Sequence, residues 1–447
     1  MMYHRPSLLL LCLLIAGCES GAKKGQVEIE YNCPSNALEI ATLQKETAFF
    51  TAATGIRIKL NPFSGQDKLY AMMAAGRAPD IFYTSAVMRD QLAAEGRLLD
   101  LRSVSEGDTL LHRLWPHVIQ NGTSIDGGWY SVGNWEFTCG VYYRKDLLAD
   151  AGLPFPDSSW TWETMVAYAR KLTHAAGPDG LGGRYGIFIG SHFVEALELM
   201  NGARFPRDML LLSIPKESAE VYRRYLSLMD EGIMPDLLRI QALGMQAPQL
   251  LQNGRVAMLV EAVPNQSLIE GLTEPWGVAP LPRFPGKPPA YFRSASGGLS
   301  ISSSTKHPRA AWEALKWIIT KASTYQPNPV LRDVDFVGGW EQRYPQLKNS
   351  GFRDVWDLSL EHNGGDPRYF VRFSSWTAGP ILERLQPMLD QLWARKRTVE
   401  SLTAAVPGIN QEVRRDLETI TRTRTLRPGF KEKIEQAIKE LHDPSAL

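Results

Sequence analysis

Cys18 is the first residue whose setting points to chemistry. It follows a short basic start with His4 and Arg5, an aliphatic run from Leu8 to Leu14 and the small residues Ala16 and Gly17, and a polar stretch over 19–25 comes after it. A basic start, a short apolar run and a small-residue cleavage site make an export signal. A cysteine just past the cut supplies a thiol, and then a freed amine, that lipid chains can acylate. The apolar run is about half of the ~20 residues needed to cross a bilayer. Residues 1–17 therefore read as a cleaved signal and 18–25 as a lipidated linker, with two or three acyl chains anchoring the rest to a membrane through Cys18. Of the four cysteines, Cys12 leaves with the signal and Cys18 is lipidated, so Cys33 and Cys139 reach an oxidising compartment. A disulfide between them and a pair of buried thiols both stay open, because spacing carries no geometry.

Two further sets of residues could do chemistry. Glu136 and Glu261 are carboxylates that a glycosidase could set across a cleft. Arg293, followed by Ser294, Ala295 and Ser296, could hold an anion through charge-assisted hydrogen bonds. Against catalysis, the chain has no His-Glu-x-x-His, Gly-x-Ser-x-Gly or Cys-x-x-Cys, and Gly180-Leu181-Gly182-Gly183 lacks the Lys-Ser/Thr of a phosphate loop. His307 and His362 lie in polar loops and read as surface residues, so no metal and no cofactor is expected. A net charge of +1 in a chain that is 22% charged leaves no footprint for nucleic acid.

The elements that must position these residues alternate between strand and helix. Residues 27–31, 56–60 and 80–83 read as strands, separated by helices over 38–53 and 67–75 that stop at Gly55 and Gly76. Helices between consecutive strands imply a parallel α/β sheet. Residues 129–143 read as one long β-type stretch, and Thr161-Trp162-Glu163 opens a helix with a threonine cap and an acidic first turn. Strands at 277–281 and 298–302 flank a proline-rich loop, and helices follow at 310–321, 379–393 and 411–421. A body of this length exceeds what one core usually serves, so more than one domain is expected.

The order of short segments along the chain resembles the family 1 extracellular solute-binding proteins of ABC importers, the maltose-binding-protein-like group. These segments are Gly76-Arg77-Ala78-Pro79-Asp80-Ile81, Gly96-Arg97-Leu98-Leu99-Asp100-Leu101, Tyr142-Tyr143-Arg144-Lys145-Asp146-Leu147-Leu148, Thr161-Trp162-Glu163, Trp276-Gly277-Val278-Ala279-Pro280-Leu281-Pro282, Gly297-Gly298-Leu299-Ser300-Ile301-Ser302 and Ala310-Ala311-Trp312-Glu313-Ala314. The resemblance implies a two-lobed type II periplasmic-binding-protein fold, each lobe a mainly parallel sheet flanked by helices. It assigns 26–136 and 279–325 to an N-terminal lobe and 137–278 and 326–447 to a C-terminal lobe. It also implies a monomer outside the cytoplasm, in the periplasm or at the cell surface, that closes on its ligand by hinging and delivers it to ABC permease subunits in the membrane.

A carbohydrate, an oligosaccharide above all, suits an aromatic-rich chain, since sugar C–H faces stack on aromatic rings while hydroxyls take polar partners. The resemblance places Tyr83 at the cleft edge of the first lobe, Asn134, Trp135 and Glu136 at a crossing, Glu261 after a strand and Trp376 just ahead of a helix, with Asn36, Ser64 and Arg293 as further ligand contacts. Where relatives often carry a tryptophan, this chain has Ala262-Val263-Pro264-Asn265. An anion such as a glycerophosphodiester, held by Arg293, is the alternative ligand; a lipid-anchored glycosidase is the enzymatic one.

Overall fold

The computed structural model describes residues 26–440 except 34–36, 63–64, 176–182, 204–210, 237–238, 241, 243, 288–290, 292, 296, 323–326 and 364–374. Asn36, Ser64 and Cys18 lie outside the described residues.

The first sheet has the order β2-β1-β3-β10-β4, from β1 (Glu28–Cys33), β2 (Arg57–Pro62), β3 (Ile81–Thr84), β4 (Val132–Gly133) and β10 (Gly298–Ile301). β1 runs parallel to β2 and β3, whereas β10 returns antiparallel between β3 and β4. The helices Ala37–Thr54 and Gln66–Ala74 make the parallel crossovers. Gly55 and Gly76 end them at φ 74° and 68°, backbone angles that cost glycine nothing.

The second sheet has the order β6-β7-β5-β8, from β5 (Glu136–Arg144), β6 (Tyr185–Ile189), β7 (Val256–Val263) and β8 (Trp276–Pro280), and β9 (Arg293–Ala295) adds to β5. Side-chain alternation along β5 sends Cys139, Val141 and Tyr143 into one core and Tyr142 into the core on the opposite face. The helix Trp162–Leu172 covers the first of these faces, its amides capped by the Thr161 hydroxyl as the sequence predicts. Among the described residues, no helix is long and apolar enough to cross a membrane.

The 129–143 stretch is two strands, not one. It breaks after Gly133 because the chain passes from the first sheet to the second there, and only residues 134–135 separate β4 from β5. The return from β9 to β10 takes only residues 296–297.

Lobe boundaries differ from expectation at two places. Leu281, Phe284 and Tyr291 pack into the second lobe's core and β9 pairs with β5, so the return to the first sheet comes at β10 rather than at residue 279. At the C-terminus, Leu417, Phe430 and Ile434 pack with Phe82, Leu92 and Tyr130 on a face of the first sheet. The helix Val399–Thr423 thus begins in the second lobe, through Leu402 and Val413, and ends on the first.

The cysteine bridge is not made. Cys33 and Cys139 are buried and lie apart, one in the core of the first sheet and one in the core of the second. Burial pushes the Cys139 thiol far up, with the Glu261 charge adding to it.

Candidate functional site

The short crossings define a cleft between the sheets. They lie at the C-terminal ends of β3 and β4 in the first lobe, and at the start of β5 and end of β7 in the second. In open α/β sheets this is the end at which ligands sit.

Tyr83 is the one long side chain of β3 left in the open, 37% exposed between the buried Phe82 and Thr84. Gly297, at φ 131°, runs so close beside it that a Cβ there would fall 2.7 Å from the Tyr83 hydroxyl. Asn134 and Trp135 form the crossing itself and are half-buried. The Trp135 ring stacks on Phe137 with centroids 4.8 Å apart and planes 28° from parallel. Phe137 was not anticipated, although period two from Trp135 was a signal for it.

Glu136 points the other way and is fully buried. Its Oε2 accepts from Arg293 Nε at 2.8 Å and Nη2 at 2.6 Å, and its Oε1 lies 2.5 Å from His117 Nε2. Arg293 in turn sits with its guanidinium carbon 4.4 Å from the Trp356 ring centroid and reaches Ser359 Oγ at 3.4 Å. Burial by itself would raise the Glu136 carboxyl, but Arg293 and His117 outweigh it and hold the group below the usual carboxylate range. Strand register makes this pairing: Glu136 lies opposite Ala295 and Thr138 opposite Arg293, so the two charges are diagonal neighbours on one face. His117 comes from the first-lobe helix Pro116–Gly122, and Trp356 and Ser359 from the second-lobe helix Phe352–Asn363. The expected direct ligand contacts at Glu136 and Arg293 are corrected accordingly: these charges clamp both crossings and engage each other. His117, Trp356 and Ser359 were missed because nothing local in sequence marks them.

Glu261 is different. Its carboxylate is half-buried near the end of β7, opposite Gly140, and no basic side chain pairs with it among the described residues. Burial pushes its carboxyl up, partly offset by the Ala262 N–H at 2.8 Å and the Asn265 side chain. It is a hydrogen-bonding carboxylate poised at the cleft side of the second sheet. Of the two carboxylates, Glu136 is fully buried in its ion pair, whereas Glu261 is half-buried. Trp376 falls in the first turn of a helix, Ser375–Trp393, that starts before the expected Gly379-Pro380, with Pro380 inside it. Its side chain lies outside what is described.

An aromatic stack, a second exposed ring and an unpaired carboxylate around a cleft can grip a neutral polyhydroxylated ligand: rings take C–H faces, and the carboxylate and Asn134 take hydroxyls. Among the described residues no cluster of His, Cys, Asp and Glu could hold a metal ion.

Comparison with known proteins agrees with this architecture. The family model described as bacterial extracellular solute-binding protein matches residues 36–325. An Escherichia coli protein described as an ABC transporter periplasmic-binding protein, YcjN, is 28% identical over 194 residues, 41% of this chain and 42% of that protein. The aligned region thus spans about two fifths of that curated relative. Among solved structures, the Listeria monocytogenes ABC substrate-binding protein Lmo0181, in complex with cycloalternan, superposes with TM-score 0.69 at 20% identity, covering 88% of this chain and 99% of that one. Maltose-bound MalE3 of T. maritima gives 0.63 at 20% identity, covering 87% and 99%. At such identity the likeness speaks to the fold, which is that of the type II periplasmic binding proteins.

Proposed function

The chain belongs to the bacterial extracellular solute-binding protein family, and from that premise we propose that it captures a carbohydrate, an oligosaccharide in particular, in the cleft between its lobes and delivers it to an ABC permease. Family membership makes it an extracytoplasmic solute-binding protein of the ABC transporter class. The observation that carries the carbohydrate reading is the Trp135–Phe137 stack at the crossing, with Tyr83 left exposed on β3 of the first lobe. Asn134 and Glu261 are the hydroxyl partners in this reading, and Trp376, Asn36 and Ser64 further ligand contacts. Solved structures of this fold with bound cycloalternan and maltose lend support. Ligand contacts made only in the closed state would shift the lobes toward closure.

The anionic alternative loses its main support, because the Arg293 guanidinium is engaged by Glu136. A glycosidase finds less support as well, because Glu136, one of its two carboxylates, has no exposed surface. A thermal-shift screen of neutral mono-, di- and trisaccharides against glycerophosphodiesters tests the reading. A neutral oligosaccharide should raise the melting temperature and come back chemically unchanged; stabilisation by the phosphodiesters alone, or cleaved sugar, would overturn it.

The lipid anchor belongs to the same proposal. Cys18→Ala should abolish acylation and leave uncleaved precursor, and palmitate label still incorporated by that variant would rule the anchor out.

A further inference from the structure

The crossing at residues 134–135 is pinned on both sides by one short helix, Pro116–Gly122. That helix belongs to the first lobe: Val118 is buried in the core of the first sheet, and the Trp115 N–H just ahead of it donates to the Val330 carbonyl at 3.2 Å. Before the crossing, Gly133 of β4 passes so close that a Cβ there would come 3.3 Å from Val118 Cγ1. After the crossing, His117 Nε2 lies 2.5 Å from Glu136 Oε1. Neighbouring residues of one helix thus hold both ends of a two-residue link, and the second hold runs from one lobe to the other.

His117 is itself held. It is 2% exposed, and its ring lies nearly parallel to that of Trp115, with planes 14° apart and centroids 6.3 Å apart. Arg293 ties Glu136 within the second lobe through two donors, and His117 ties it to the first. Hydrogen bonds to an ionised carboxylate are short, strong and directional, so Glu136 has little room to turn. Trp135 and Phe137 stack on each other, so both rings leave one side of the chain while Glu136, between them, leaves the other. A rotation of the backbone at Glu136 would therefore swing both rings.

We infer that His117 is a positioning residue for the cleft: by holding Glu136 to the first lobe it fixes the course of the crossing, and with it the direction of the Trp135 ring. Its burial keeps it from the ligand, and it acts through Glu136. The step from ring direction to affinity rests on the reading of Trp135 as a ligand platform.

Fluorine NMR of the full chain labelled with 5-fluorotryptophan tests the positioning without any ligand, the Trp135 resonance being the one lost in Trp135→Phe. His117→Ala should shift or broaden that resonance, while Trp162 and Trp393 in the core of the second lobe keep theirs. His117→Gln, whose side-chain N–H can stand in for the Nε2 donor, should return it toward its wild-type position. Should the alanine variant not fold, His117→Phe, which keeps a ring and lacks the donor, takes its place. A Trp135 resonance unmoved by loss of the donor, a shift shared by all three tryptophans, or a glutamine variant as displaced as the alanine one would each overturn the inference. Calorimetric titration with maltotriose reads the consequence: His117→Ala should weaken binding by about tenfold, and His117→Gln should restore most of it. Binding weakened by Trp135→Ala and untouched by His117→Ala would also overturn the inference. Binding untouched by both, with the Trp135 resonance moved, would remove the platform reading and leave the positioning role in place.

Discussion

Glu136 shows how far a side chain's role depends on what meets it. As a carboxylate beside two aromatic residues at a crossing it has the look of a ligand partner; buried against Arg293 and His117 it is structural. Removing one partner of a buried ion pair strands the other, so Glu136→Gln should cost about 3 to 5 kcal/mol of stability at neutral pH, read from denaturant unfolding. Its carboxyl is held below the ordinary 4.5, which means the native state favours the ionised form. That stabilisation is present above about pH 4.5 and is lost as pH falls through the lower native value, so the gap between wild type and variant should close in acid. A gap that persists unchanged at low pH would show that packing rather than charge is responsible. Trp135 makes the opposite case: half-buried and stacked, it should contribute to binding more than to folding. Trp135→Ala should weaken oligosaccharide binding by about 1.5 to 3 kcal/mol, the scale of one aromatic's apolar surface, with a nearly unchanged unfolding midpoint. Unchanged affinity in the titration would remove Trp135 from the site.

Among the elements, the crossings carry the constraint. Gly297 sits between β9 and β10 at φ 131°, a region open to glycine and strained for other residues. A Cβ there would collide with the Thr84 carbonyl oxygen and crowd the Tyr83 hydroxyl. Gly297→Ala should therefore destabilise by about 1 to 3 kcal/mol and, by moving Tyr83, weaken ligand binding as well. Thermal unfolding and titration read the two effects, and a variant as stable and as competent as wild type would mean that the crossing has room to shift. Helix ends were the most legible elements. Gly55, Gly76 and the Thr161 cap sit where local sequence places them, because a cap satisfies backbone groups within a few residues of itself. The split of residues 129–143 was not legible: both halves have strand-type sequence, and only the change of sheet divides them.

Across the whole molecule, the C-terminal helices join the lobes. Phe430 is fully buried, its ring 6.3 Å from that of Tyr130, in a cluster that includes Phe82 and Leu92 of the first lobe. Phe430→Ala should cost about 3 to 5 kcal/mol of stability, as other large-to-small core changes do. Its distance from the cleft predicts intact sugar affinity for the molecules that remain folded. Affinity lost in step with stability would instead tie this helix to the binding cleft.

The sequence alone was enough for the α/β class, the order of the early strands and helices, the export signal as an expectation, and the family resemblance. Those rest on periodicity, caps and short ordered segments, all of them local. It also singled out Tyr83 and Trp135 as candidate ligand contacts, residues that lie in and beside strands next to the crossings. Tertiary structure alone decided that β9 joins the second sheet, that the last helix returns to the first, and that Cys33 and Cys139 sit in different cores. It likewise decided that Glu136 and Arg293, 157 residues apart, neutralise each other. The physical reason is common to these cases: strand register and core membership are set by contacts between distant segments, and a carboxylate's chemistry depends on whether the partner it meets there is water, a ligand or a buried arginine.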